Sequence, residues 1–329
     1  MKLAVTAANG KLGSTISNRL IAEIGPENVI GIARTPQKAE FLGIEIRKGD
    51  YNYQEDFITA LNGIDALLIV SSMDEPSKRI QQHRNIIAGA KANAVKKVVY
   101  TSIIGKEVET AFSRIVQSNR QTEEDVRNSG LDWVIGRNGL YIEPDLEYID
   151  NYIVKGEIHN SAGNGKCAYT SRKELADAYL KMLIEDKHNG QLYNLAGEPI
   201  SQKQLIEYLN EVYNTNLIYK SISVEEYTKE RKKELGEFMG MVIGGIYEGI
   251  RKGAFNMESD FHKAAGRQHK SLIEIILNYK RQVHEKKNIN IYSSCCISCN
   301  QFLFAGNGCY PSFKRTKQGI YTSRNYSSK

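Results

Sequence analysis

The 329-residue sequence contains no uninterrupted apolar run of the length a membrane helix needs, about 18 residues or more, so no membrane partner is expected. It does not open on a basic stretch followed by an apolar one. Residues 3–6 already read as a strand, so secretion is not expected and the cytoplasm is. Cysteine is scarce where a fold would use it. Of five, only Cys167 lies in the first 279 residues, while Cys295, Cys296, Cys299 and Cys309 stand near the C-terminus. A disulfide framework would be spread over the fold, so the body reads as an intracellular protein. The terminal group has four sulfurs but lacks the second Cys-x-x-Cys of a zinc ribbon. The body has no metal-ligand spacing, and no metal is expected. Excess charge of either sign is also missing from the body. The net charge of +6 comes from nine lysines and arginines against Glu285 over 280–329, and the remainder holds 35 basic against 37 acidic residues. A nucleic-acid partner would need a basic face on the folded part, so none is expected.

What is present alternates. Strand-like runs lie at Leu3–Thr6, Val29–Ala33, Ile44–Lys48, Ala66–Ser71, Lys97–Thr101 and Trp133–Gly136. Most are continuously apolar, as when both faces of a parallel sheet are covered. Helix-like stretches separate them. Leu12–Ile24 has apolar residues at helical spacing and stops at Gly25 and Pro26; Thr35 and Pro36 open a short helix; Ser77–Asn93 and Phe112–Ser129 are longer. This alternation predicts an α/β fold, a doubly wound (Rossmann) parallel sheet over 1–139. Over 140–284 the pattern is mixed. Glu174–Ile184 and Ser201–Asn214 read as helices, and Leu192–Leu195 and Leu217–Ser221 as short strands, predicting a smaller α/β domain on the substrate side. From 285 to 329 periodicity disappears. That stretch reads as an irregular basic cysteine-containing tail, with too little apolar surface to offset its ordering entropy.

The stretch VTAANGKLG, from Val5 to Gly13, joins the first strand to the first helix. Ligands of open α/β sheets sit at the carboxyl ends of the strands. Gly10 would let the backbone approach a pyrophosphate, and Gly13 would let the helix pack tightly on its strand. The free N–H groups and positive dipole of the helix N-terminus would face the phosphates. Ala7 stands where a first glycine is usual. It fits if its φ is negative, and Asn9 tolerates unusual angles better than most residues. The competing reading is a tight turn with no ligand. At the end of the second strand stands Arg34, where NAD-preferring proteins carry an acid, and a guanidinium there suits a 2′-phosphate. The cofactor is therefore expected to be NADPH. Asp50 after the third strand, Ser71 and Ser72 after the fourth, and Thr6 and Thr101 at the ends of the first and fifth join the cofactor set by position.

One further absence bears on chemistry. The helix after the fifth strand has no tyrosine, so the Tyr-x-x-x-Lys pair of standard short-chain dehydrogenases is missing there. Tyr169 and Lys173 have the spacing but lie after the sixth strand, and read as a chance match. His83 reads as a packed or capping histidine. Ketone reduction yields an alkoxide and needs a strong positioned acid. Quinone reduction yields a stable phenolate-like anion and can run on proximity and orientation.

Several stretches in order, VTAANGKLG, IARTPQKAEFLGIEIRKGDY, LLIVSS, QQHRNIIAGAKANAVKKVVYTS, GLDWVIGRNGLY, SAGNGK and GQLYNLAGE, resemble the NmrA-like atypical short-chain dehydrogenases, and among them the bacterial NADPH-dependent quinone-reducing members. The resemblance runs from Met1 to about Tyr279. It implies a pyrophosphate held by Gly10, Lys11, Leu12 and Gly13, a 2′-phosphate on Arg34, and a nicotinamide ribose near Ser71 and Ser72. It also implies a cleft lined by Asn138, Gly139 and Tyr141, with Asn138 and Tyr141 as the catalytic candidates and a small-molecule quinone as partner. Two residues depart from the family pattern: Ala7, and Asn119, which stands where a histidine precedes Thr122 and Glu123 and which cannot titrate. The other function class implied is a non-catalytic NADP(H)-sensing regulator. The sequence leaves homo-oligomerisation open.

Overall fold

A computed structural model of the chain describes residues 1–285. Residues Met1–Lys280 form one compact unit. The first half contains β1 (Leu3–Val5), α1 (Lys11–Ile24), β2 (Val29–Ala33), β3 (Glu45–Lys48), α2 (Gln54–Ala60), β4 (Ala66–Ile69), α3 (Pro76–Ala92), β5 (Lys97–Ile103), α4 (Ser113–Arg127) and β6 (Asp132–Asn138). The second half continues with β7 (Leu140–Tyr141), α5 (Glu143–Glu147), α6 (Ile149–Lys155), β8 (Glu157–Asn160), β9 (Lys166–Thr170), α7 (Arg172–Ile184) and β10 (Gln191–Leu195). Then follow β11 (Pro199–Ser201), α8 (Gln202–Tyr213), β12 (Ile218–Ser221), α9 (Val224–Leu235), α10 (Glu237–Arg251) and α11 (Phe261–Ala265). A helix over 272–285, α12, is the last element described. Of the second unit, Arg281–Lys329, residues 281–285 are described and are helical. The expected irregular tail, with its four cysteines, lies outside the described residues.

Seven parallel strands form one sheet in the order β10-β6-β5-β4-β1-β2-β3. This is the doubly wound α/β arrangement expected. Strand geometry sends successive side chains to opposite faces. Leu3 and Val5 accordingly join a core with Ile16 and Leu20 of α1 and Tyr179 and Leu180 of α7, while Ala4 joins one with Phe57 of α2 and Ile86 of α3. Full burial of each large apolar side chain contributes roughly 1.5–3 kcal/mol, and both faces of the sheet are covered.

The structure departs from the sequence reading in two places. Residues 192–195 were read as part of the substrate-side region. Instead α7 packs on the large sheet and β10 pairs in parallel with β6, Leu192 opposite Ile135. The sheet body therefore takes in residues on both sides of 139. The reason is that a helical crossover returns a parallel strand to the exposed sheet edge, where it pairs the edge's free backbone groups. The second departure is α9 and α10, a helical pair over 224–251 that the sequence reading left unassigned.

The second lobe has its own core, in which Ile142, Leu146, Tyr169, Leu209 and Ile250 meet Phe112 and Val116 at the start of α4. Its small sheets are β11-β9-β7 and β12-β8. Ser201 caps α8 in a reciprocal box with Gln204, which fixes the entry of that helix. Among the described residues no helix is long and apolar enough to cross a membrane.

Candidate functional site

The β1–α1 turn is built by sterics. Ala7 takes φ +49°, against the negative value expected, and Asn9 is not the residue that absorbs the unusual angle. The Gly10 N–H donates to the Ala7 carbonyl at 2.8 Å, closing the turn. A Cβ on Gly13 would sit 2.3 Å from that same carbonyl oxygen, so α1 approaches the turn only because residue 13 has no side chain. Ala7 thus fills a glycine-like position at a backbone cost of roughly 1–2 kcal/mol. Among the described residues no side chain caps the N-terminus of α1, and its first turn contains no acid. Leu12 and Gly13 are buried; Lys11 is exposed and its Nζ reaches Glu147 at 2.6 Å.

A concavity of about 420 Å3 opens beside this turn, lined by Ala7, Asn9, Arg34, Lys38, Asp50 and Ser71 among others. Arg34 and Lys38 are exposed and form no ion pair with the described residues. Lys38 was missed from sequence; its signal was its place in the short helix that follows Arg34. Asp50 is half-buried, and its Oδ1 accepts from the Asn52 backbone N–H at 3.0 Å and side chain at 2.9 Å. A helix start without a side-chain cap, a turn with no room for a Cβ at Gly13, and Arg34 and Lys38 in the adjoining concavity fit a phosphorylated dinucleotide.

Behind the concavity lies a buried polar network. Thr6 and Thr101 do not reach the surface; both hold the strand ends that form its floor. Thr6 Oγ1 accepts from the Val70 N–H at 2.9 Å and from Tyr51 at 2.6 Å, and Thr101 Oγ1 accepts from the Ser71 N–H at 2.9 Å. The Ser72 N–H donates to His83 Nε2 at 3.0 Å, which leaves the imidazole proton on Nδ1, facing Thr122 at 2.9 Å. Burial and the nearby Arg79 push His83 down to about 3, so it stays neutral, a packed histidine as expected. Arg79 itself is 4% exposed. Its Nη2 donates to Ser71 Oγ at 2.6 Å and Asn119 Oδ1 at 3.2 Å, and no carboxylate lies within ion-pair distance among the described residues. Burial pushes its pKa down. Arg79 was missed because an arginine on an amphipathic helix reads as surface. Asn119, fully buried, accepts from Tyr100 at 2.8 Å and from Arg79, so it anchors this network. One turn on, Glu123 is clasped by Arg137, Arg120, Arg127 and Ser102, which hold its carboxyl below the usual range despite burial.

Asn138 and Tyr141 are brought together at the end of β6. Asn138 Nδ2 donates to the Tyr141 hydroxyl at 3.0 Å, and Tyr179 donates to Asn138 Oδ1 at 2.7 Å. Burial pushes Tyr141 up to about 12, and the Arg172 guanidinium lies 5.6 Å from its ring. Tyr141 lines a second cavity of about 330 Å3, with Asp145, Tyr148, Tyr152, Tyr227 and Tyr247. Tyr169 is instead a core residue, 1% exposed, its hydroxyl accepting from Gln202 at 2.8 Å. A further groove, about 910 Å3, is lined by Lys166, Glu198, His262 and Lys270 among others, and by none of the residues proposed from sequence to bind cofactor or acceptor.

Comparison with known proteins places these observations. The family described as NAD(P)H-binding matches residues 7–186. Quinone oxidoreductase 2 of Escherichia coli is 31% identical over 234 residues, 70% of this chain and 81% of that protein. An NmrA-like family domain-containing oxidoreductase of Aspergillus flavus is 27% identical over 235 residues, 69% of this chain and 76% of that protein. The crystal structure of the Escherichia coli NADPH-dependent quinone oxidoreductase complexed with NADPH superposes with a TM-score of 0.77 at 28% identity, covering 84% of this chain and 99% of that one. With its glycine-closed turn and seven-stranded parallel sheet, the chain belongs to the NmrA-like NAD(P)H-binding family.

Proposed function

We propose that the protein is an NADPH-dependent oxidoreductase that passes a hydride to a quinone-type acceptor. The observation that carries this reading is the shared concavity of the β1–α1 turn, Arg34 and Lys38. Arg34 at the end of β2, where a ribose-binding acid would select NADH, and Lys38 in the short helix beyond it, neither ion-paired among the described residues, favour the 2′-phosphate. In this reading the first-turn N–H groups of α1 meet the pyrophosphate and Asp50 borders the adenosine half. Ser71 and Ser72 face the nicotinamide ribose, held by Thr101, His83 and Arg79. The dinucleotide, when bound, supplies the hydride. Tyr141 forms the wall against which the acceptor lies, and Asn138 positions it by gripping its hydroxyl. Tyr141, pushed up to about 12, is a weak acid, and no Tyr-Lys pair stands on α4 to supply a stronger one. That suits an acceptor whose reduced anion is stable, as a hydroquinone anion is. The named activity of the Escherichia coli relative points the same way.

The test is NADPH oxidation with and without 1,4-benzoquinone. Quinone-dependent oxidation, with NADPH preferred over NADH, is the expected result. Tight NADPH binding with no quinone-dependent oxidation would overturn the enzyme reading in favour of a sensor.

A further inference from the structure

The second lobe contains a carboxyl for which the reaction above has no role. Asp145 lies within α5 and is 7% exposed. Its Oδ1 accepts from the Tyr152 hydroxyl at 2.9 Å. No cation lies within ion-pair distance of it among the described residues. The titratable groups that its charge reaches are hydroxyls and a thiol: Tyr152 of α6, Cys167 and Tyr169 of β9, Tyr227 of α9 and Tyr247 of α10, each made harder to ionise by burial first and by that charge besides. The cations of the cavity are engaged elsewhere. Arg231 pairs with Glu234 at 2.8 Å and Lys155 stands 6.0 Å from the Tyr148 ring centre. His159 sits between Glu157 at 3.5 Å and Glu230 at 2.9 Å. Burial without a counter-charge pushes Asp145 up to about 6, inside the range useful for proton donation near neutral pH.

Placement matters as much as environment. Asp145 and Tyr141 line the same cavity. At the end of α5, Glu147 is bound by Lys11 from the first turn of α1 at 2.6 Å. The helix that carries Asp145 is therefore tied to the glycine turn at one end and follows the Tyr141 wall at the other.

Resting on the quinone reading, we infer that Asp145 donates the proton that completes reduction of an acceptor bound in this tyrosine-lined cavity. Hydride arrival, two electrons and one proton, converts the quinone to a hydroquinone monoanion. The protonated Asp145 carboxyl then breaks its O–H bond as the phenolate oxygen forms one. The carboxylate left behind is reprotonated from solvent, so the balance is quinone, NADPH and one proton giving hydroquinone and NADP+.

The test is kcat for NADPH and 1,4-benzoquinone from pH 5 to 9 in wild type, Asp145→Asn and Tyr152→Phe, with NADPH affinity measured separately. Wild-type kcat should fall as pH rises above about 6. Asp145→Asn should lose that limb and about tenfold to a hundredfold of kcat at pH 5, with NADPH affinity unchanged. Because the Tyr152 hydroxyl favours the carboxylate, Tyr152→Phe should move the limb to higher pH, a shift that a merely structural tyrosine would not cause. Wild-type kcat and pH profile in Asp145→Asn, or an unmoved limb in Tyr152→Phe, would overturn the inference while leaving the quinone reading intact. Absence of quinone turnover in wild type would overturn both.

Discussion

Glu123 in the sheet lobe and Asp145 in the second lobe are both buried carboxyls, but their surroundings differ. Glu123 has three arginines on it and ties α4 to β5 and β6. Asp145 has one tyrosine hydroxyl and, among the described residues, no cation within ion-pair distance. The first is held below the usual carboxylate range and the second is pushed up to about 6. A buried carboxylate with matched donors acts as a fastener. One without them keeps a proton that it can give away. The sheet lobe is thus stiffened by charge pairing where a cofactor must be held in register, and the second lobe keeps an unmatched acid where an acceptor would sit.

The linkage signs are opposite. The Glu123 contribution is present above its unfolded pKa and is lost as pH falls through its lowered folded value. Asp145 shifts from 3.8 to about 6, and between those values the folded chain holds a proton that the unfolded chain has released. Stability therefore falls as pH rises through that window, by on the order of 2–3 kcal/mol.

The largest expected effect comes from breaking the paired side. Glu123→Gln leaves three guanidinium groups without their carboxylate and should cost about 3–5 kcal/mol at pH 7, read as a melting point lowered by roughly 10 °C. A loss below about 1 kcal/mol would mean that the arginines find other partners and the comparison is false. On the unpaired side the sign reverses. Asp145→Asn should raise stability at pH 7 by on the order of 2 kcal/mol in urea unfolding and have little effect at pH 4. Equal effects at the two pH values would refute the raised carboxyl. Next comes Arg34→Ala. A charge-assisted phosphate contact is worth about 1.5–3 kcal/mol, and with Lys38 still in place the loss of NADPH affinity should be about tenfold. NADH affinity and the KM for benzoquinone should hardly move. Equal weakening of both cofactors would remove Arg34 from the phosphate site. The smallest effect is that of Ala7→Gly. It relieves a left-handed angle but gives the unfolded chain more freedom, so the net gain should be below about 1 kcal/mol, seen in a melt with cofactor binding unchanged.

Local patterns made much of this molecule legible. Apolar runs such as Leu3–Val5 and Ala66–Ile69 marked buried parallel strands, and Gly25 with Pro26 marked the end of α1. The glycine turn could be placed because it joins a strand to a helix, and Arg34 because it follows the next strand. These features depend on residues a few positions apart, and backbone sterics and helical or strand periodicity are enough to produce them.

Other features were set only when distant segments met. The φ of Ala7 follows from how closely α1 packs on the turn, and the burial of Thr6 and Thr101 from what lies above each strand end. Arg79 points inward because Ser71 and Asn119 offer acceptors there, and β10 rejoins the sheet because β6 presents a free edge. Asp145 owes its raised pKa to burial, and the tie of α5 to the glycine turn rests on the Lys11–Glu147 pair, which spans 136 residues of sequence. Periodicity carries no information over such separations. Desolvation and pairing of a charge are properties of the packed neighbourhood, and only the tertiary structure creates that neighbourhood.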